Sequence, residues 1–231
     1  MKVLLTHGYF ISEDAKEQLI MRPYPPLGIL YISAYLKERQ VAVNVFDTTF
    51  SSVKDFKEYV QQEQPNVLAF YVNLMTKLQV IHLTKWIKGE SELKHIKVIF
   101  GGPDITHNTN DYLKIGADAV VIGEGEETMY ELVQSFAGKK HLSDVDGISF
   151  LNNEGVEVKT KSRTKIKEID HLIQSRRDST GFSGFNSTIL LLAFDDFTPL
   201  SHFTATATSF KSGQEGLEPP TCGFGDRRSA N

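Results

Sequence analysis

Cysteine is almost missing from this chain: Cys222 stands alone. One thiol cannot close an intramolecular disulfide, so the stapled-scaffold class is excluded and the cytosol is the default compartment. Long apolar runs are missing too. No stretch approaches the roughly 18 residues of a membrane-spanning helix. The start, "MKVLLTHGYF", has one lysine and a brief apolar run, too short for a signal-peptide core and better read as a first strand. Positive charge is not in excess either. A formal net charge of −4 argues against a dominant electrostatic partner such as nucleic acid or an anionic membrane.

Several catalytic and cofactor signatures are also absent. A dinucleotide fold needs G-x-G-x-x-G after its first strand, where this chain reads "THGYFISED". No G-x-x-x-x-G-K-[ST] phosphate loop and no G-x-S-x-G elbow occur. The seven histidines form no H-x-x-x-H or H-E-x-x-H pair. His7 and His107 fall at strand ends, where a locally bonded loop histidine is the more ordinary reading than a ligand contact. A receiver domain needs acids after strand one, an aspartate ending strand three and a lysine after strand five. Here those positions read Thr6-His7-Gly8, Val72-Asn73 and Gly123-Glu124. No catalytic or metal-ligating set emerges.

Present instead is regular alternation. With 40% apolar residues the chain can build a real core. Apolar runs at 2–6, 41–47, 66–72, 97–101 and 118–123 predict strands, several of them nearly continuous as expected where both faces of a parallel sheet are buried. Amphipathic stretches near 27–38, 53–63, 77–89, 109–115 and 127–137 predict the helices between them. Ser52 and Asp55 form a capping-box signal at the second of these. The pattern is that of a doubly wound, five-stranded α/β domain. "GISFLNNEGVEVKT" (147–160) then reads as a β-hairpin, either an antiparallel edge or the start of another domain. The expected organisation is an α/β domain over 1–140, a hairpin and link over 141–172, and an atypical tail over 173–231. The first 172 residues hold 17 lysines and the last 59 hold one, Lys211. With 15 serines and threonines in those 59 positions, the tail is expected to be disordered or non-native.

Ligands of open α/β sheets sit outside the carboxyl ends of the strands. The loops there carry the candidates. Gly8 and Tyr9 follow strand one. Asn73, Leu74 and Met75 follow strand three, offering a hydrogen-bonding amide and an adaptable apolar surface. Gly101, Gly102 and Pro103 follow strand four; they suit a close backbone approach to a bulky ligand, and equally a plain tight turn. Gly123, Glu124, Gly125 and Glu126 follow strand five. Their carboxylates work against a phosphate cradle. Glu126 and Glu127 suit a helix N-terminus, where negative charge is favourable.

Taken in order, "YPPLGILYISAYLKERQVAVNVFD" (24–47), "VNLMT" (72–76), "VIFGGPDIT" (98–106), "ADAVVIGEGEETMYEL" (117–132) and "DGISFLNNEGVEV" (146–158) resemble the N-terminal cobalamin-binding domain of class B radical SAM proteins. The resemblance spans about residues 1–172. It implies a flavodoxin-like, B12-binding fold with cobalamin over the carboxyl ends of the strands. By position it assigns Asn73, Leu74, Gly101 and Gly102 to the nucleotide-tail pocket, and Gly123 to Glu126 to the loop beside ring and tail. The D-x-H-x-x-G motif that supplies an axial histidine is absent, so cobalamin would bind without a protein histidine ligand. The family's C-x-x-x-C-x-x-C motif, whose thiolates hold a [4Fe–4S] cluster, is absent as well. Cluster, SAM and the radical SAM catalytic domain are then expected only in a full-length relative. The resembling frame stops near residue 173, and this polypeptide alone is expected to be inactive. The other reading is a cofactor-free α/β regulatory or interaction domain.

Overall fold

A computed structural model describes residues 1–20 and 26–164, and the expected tail over 173–231 lies outside the described residues. The strands are β1 (Lys2–Thr6), β2 (Ala42–Val45), β3 (Val67–Tyr71), β4 (Lys97–Gly101), β5 (Ala119–Val121), β6 (Ile148–Leu151) and β7 (Glu157–Lys159). The helices are α1 (Ala15–Ile20), α2 (Leu27–Glu38), α3 (Val53–Glu63), α4 (Lys77–Gly89), α5 (Thr109–Ile115) and α6 (Glu126–Phe136). Among the described residues the seven strands form one sheet in the order β2-β1-β3-β4-β5-β6-β7. β1 to β5 run parallel, while β6 and β7 are antiparallel additions. The hairpin therefore extends the same sheet as an antiparallel edge. Its turn is organised by Asn152, whose side-chain oxygen accepts from the Glu154 and Val156 N–H groups at 3.0 and 2.9 Å.

The two faces of the sheet are packed differently. On one, α3, α4 and α5 cover Phe70 and Phe100. A run of edge-on and tilted aromatic contacts crosses this face: Phe10–Phe56, Phe56–Phe70, Phe70–Phe100 and Phe100–Tyr112, at centroid separations of 6.3, 6.2, 6.0 and 5.3 Å. Such pairs add about 0.5–1.5 kcal/mol each beyond the area they bury. On the other face, α2 and α6 cover smaller residues, among them Val3, Val67, Ala69 and Val121. Local signals agree with this framework. Ser52 caps α3, with Ser52 Oγ accepting from the Asp55 N–H at 3.1 Å and Asp55 accepting from the Ser52 N–H at 3.0 Å. The Ser52 hydroxyl also donates to the Asp55 carboxyl at 2.7 Å, and this bond, with that from the Ser52 N–H, holds the carboxyl below its usual range.

The order β2-β1-β3 reverses direction between β1 and β3. An open sheet parts its loops at such a switch and leaves a crevice at the carboxyl ends. None of the helices among the described residues is long and apolar enough to cross a membrane.

Candidate functional site

Side chains alternate across a strand, so residues two apart share a face. Ala69 and Tyr71 of β3, and Ile99 and Gly101 of β4, accordingly point towards α2 and α6. Ala69 and Gly101 supply little bulk where Phe70 and Phe100, on the opposite face, fill theirs. The missing volume becomes a cleft of about 210 Å³ between the sheet and the two helices, reaching from Leu5 and Ala69 to the Gly123–Glu126 loop. Gly28 and Ile32 of α2 and Met129 of α6 close its outer wall. Ligand pockets for drug-sized molecules run to about 300–1,000 Å³. This one, at about 210 Å³, is smaller than that range.

Six of the residues singled out from the sequence line this cleft: Gly101, Gly102, Gly123, Glu124, Gly125 and Glu126. Gly102 needs to be glycine for a reason that involves no ligand. Its φ is +118°, and a Cβ there would lie 2.3 Å from the Val72 carbonyl oxygen. Asn73, Leu74 and Met75 stand on the neighbouring loop rather than in the cleft. The Asn73 side-chain oxygen accepts from the Met75 and Thr76 N–H groups at 2.9 and 3.0 Å, which shapes the approach to α4. Leu74 and Met75 project outward, 80% and 57% exposed, as does Leu78 beside them. Tyr71, at 37% exposure, lines the cleft itself.

The other candidates lie elsewhere. A Cβ on Gly8 would meet Val80 of α4 at 2.8 Å, which places Gly8 over the opposite face. The Tyr9 N–H donates to His7 Nδ1 at 3.1 Å, and its carbonyl accepts from Thr48. Pro103 opens the 3₁₀ turn Pro103–His107. His7 itself is buried, with Nε2 2.8 Å from Asp47 Oδ1. Because Nδ1 accepts from Tyr9, the proton of the neutral ring sits on Nε2 and is donated to Asp47. Burial works against ionisation of Asp47, yet the hydrogen bonds from His7 and Thr49 prevail and hold its carboxyl below the usual range.

Gly28, Ile32, Tyr71 and Met129 were not singled out from the sequence. Gly28 had a signal, since glycine in the first turn of a helix costs stability without a local reason. Ile32 and Met129 had none, because helical apolar residues show no preference between a core and a cleft. Two acids of α6 are bound into the framework. Glu127 pairs with Arg163 Nη1 at 2.7 Å, and Glu131 pairs with both Arg163 and Lys140. Burial opposes ionisation of Glu131, but these two partners outweigh it and keep its carboxyl low.

Residues 21–133, which include every element lining the cleft except β1, match the family model of the B12 binding domain. They belong to the B12-binding domain family. The resemblance read from the sequence motifs is upheld by this match. Over 179 residues the chain is 28% identical to the anaerobic magnesium-protoporphyrin IX monomethyl ester cyclase of Synechocystis sp., covering 74% of this chain and 34% of the relative. It is 26% identical to an uncharacterized methyltransferase of Pyrococcus horikoshii, covering 74% and 37%. The chain thus spans about a third of the length of these curated relatives. Among solved structures, the B12-binding domain superposes on the cobalamin-dependent S-adenosylmethionine radical enzyme OxsB with aqua-cobalamin bound, at a TM-score of 0.62 and 18% identity over 71% of this chain and 22% of that one. The radical S-adenosylmethionine methyltransferase TsrM from Kitasatospora setae gives 0.53 at 17% identity, over 72% and 30%. At these identities the likeness is one of fold.

Proposed function

We propose that the domain binds cobalamin, with the nucleotide tail in the cleft and the corrin ring over the carboxyl ends of β1, β3 and β4. The cleft carries this reading: it is apolar, flat-walled by glycine and alanine, and sized for one aromatic arm. A Cβ on Gly101 would meet nothing closer than Val121 at 3.8 Å, so the space beside it is available to a ligand. Gly101, Ala69, Gly28 and Met129 would hold the tail, and Tyr71, Leu74 and Met75 would meet the ring. Apolar contact supplies the binding energy here, at about 25 cal/mol per Å² buried. The cobalt comes already held by the corrin nitrogens, so no cluster of side-chain ligands is required. When bound, cobalamin supplies a cobalt centre suited to methyl transfer or a related radical step. Residues 1–140 act as the cofactor module and 141–172 as its link towards a radical SAM catalytic domain, which would choose the reaction. The lone cysteine fits a cytosolic setting.

Titration with hydroxocobalamin, followed by its visible spectrum, tests this reading. Saturable binding at micromolar concentration is expected. Cobinamide, which lacks the nucleotide tail, should bind at least about tenfold more weakly, since one buried ring is worth a few kcal/mol. No binding of either at tens of micromolar would leave the cofactor-free regulatory domain as the reading.

A further inference from the structure

Beyond β7 the backbone continues as a ladder at the carboxyl end of the sheet. The Lys161 carbonyl accepts from the Gly147 N–H at 2.7 Å, and the Gly147 carbonyl accepts from the Ile122 N–H at 2.8 Å. Ile122 immediately precedes the loop that lines the cleft. Two residues past this rung, Arg163 turns back onto α6. Its side chain is only 11% exposed. Nε donates to Thr128 Oγ1 at 2.9 Å, Nη1 pairs with Glu127 at 2.7 Å, and Nη2 pairs with Glu131 and reaches the Asp146 carbonyl at 3.4 Å. Thr128 is fully buried, and its hydroxyl in turn donates to the Glu124 carbonyl at 3.1 Å. A planar guanidinium can serve several acceptors in fixed directions at once, which an ammonium cannot.

We propose that Arg163 is a positioning residue for the cleft: it clamps the first turn of α6, and through Thr128 the Gly123–Glu126 loop, to the strand by which the chain leaves the sheet. Arg163 does not itself line the cleft. It acts by fixing where Gly125, Glu126 and Met129 stand. The same bonds make the link segment sensitive to whatever occupies the cleft, because loop, helix and exit strand share one set of hydrogen bonds. The effect on cofactor affinity rests on the cobalamin reading; the clamping of α6 does not.

Hydrogen–deuterium exchange on the full chain, with and without hydroxocobalamin, separates the two. Without ligand, Arg163→Met should speed exchange of the Met129–Leu132 amides about tenfold, as loss of charge-assisted bonds implies, and leave α3 unchanged. Arg163→Lys should recover less than half of that, for want of the fork. With ligand, the native chain should slow exchange at Ile122 and Gly147, and Arg163→Met should bind about tenfold more weakly with no such slowing. Unchanged α6 exchange in Arg163→Met, full rescue by lysine, or native affinity in Arg163→Met would each overturn the inference. Failure of the native chain to bind sinks the cobalamin reading alone, and the ligand-free exchange then decides. If Arg163→Met does not fold, Thr128→Val removes the Nε acceptor and leaves the ion pairs. Faster exchange in α6 then supports the clamp, and native exchange overturns it.

Discussion

Ile32 and Gly125 meet at the rim of the cleft, where a Cβ on Gly125 would stand 2.8 Å from Ile32 Cδ1. Gly125 has ordinary right-handed backbone angles, φ −93° and ψ −21°, so alanine brings no backbone strain. The clash falls on the far end of a flexible side chain, which can rotate at a cost of about 0.5–1.5 kcal/mol. Ile32 lines the cleft, and its displacement would narrow it. Gly125→Ala should therefore change unfolding free energy by about 1 kcal/mol or less and weaken hydroxocobalamin binding several-fold. Paired denaturant and titration curves check this; intact binding would separate Ile32 from the site.

Gly102 makes the opposite case. Alanine there would be strained by the positive φ and would collide with Val72 main chain, which cannot swing aside. Gly102→Ala should cost about 3 kcal/mol or more, read as a lower denaturation midpoint at unchanged slope. A fully stable variant would show that the loop after β4 can adopt a second course.

These two glycines show how far the sequence could be read. The strands were legible because a parallel sheet buried on both faces demands unbroken apolar runs, and the α3 boundary because Ser52 and Asp55 are spaced as a reciprocal cap. Glycines 101, 102, 123 and 125 stood out because they fall at strand ends, where glycine suits either a close backbone approach or a plain tight turn. What they were for was not legible. The close approach expected of Gly102 is to Val72, not to a ligand, and that depends on how β3 and β4 pair. Gly28, Ile32 and Met129 reach the cleft only because the strand order brings α2 and α6 side by side. Arg163 reads in sequence as one more charge in "KTKSRTK", and only the antiparallel hairpin carries it back to α6.

Asp47 gives a pH signature. Its folded carboxyl lies below the ordinary value of 3.8, so the unfolded chain takes up its proton first. Stability from this group is complete above that value and is lost as pH falls through the lower folded one. Asp47→Asn should destabilise the protein by about 1–3 kcal/mol near neutrality, through loss of its charge-assisted bond to His7. The deficit should shrink below about pH 4. Urea unfolding at pH 6 and pH 3 measures both; an equal deficit at the two pH values would remove Asp47 from the acid response.

At the amino end of the sheet, Asp118 accepts from Lys88 at 2.6 Å, from Lys97 at 3.1 Å and from the Val98 N–H at 2.8 Å. Asp118→Ala strands that backbone donor and should cost about 2–3 kcal/mol of stability. Because it sits at the far end of β5 from the cleft, hydroxocobalamin affinity should stay within about twofold, as expected for distant, independent sites. A large loss of affinity would mean that binding tracks global stability and would undercut the interpretation of every other variant.

Gly101 offers the sharpest test of what the cleft holds. Unlike Gly102 it lies in β4 without a positive φ, and an added side chain would meet Val121 only at ordinary contact distance. Valine is a good strand former, so Gly101→Val should keep the native denaturation midpoint to within about 1 kcal/mol. Its methyl groups would occupy the space proposed for the nucleotide tail. Hydroxocobalamin affinity should fall by at least about tenfold, while cobinamide, with no tail to exclude, should bind the variant as it binds the native chain. The ratio of the two affinities is the decisive reading, because general damage to the domain would lower both. Equal losses would show that Gly101 supports the corrin platform rather than the tail slot. Undiminished hydroxocobalamin binding in a folded Gly101→Val protein would place the tail outside this cleft altogether.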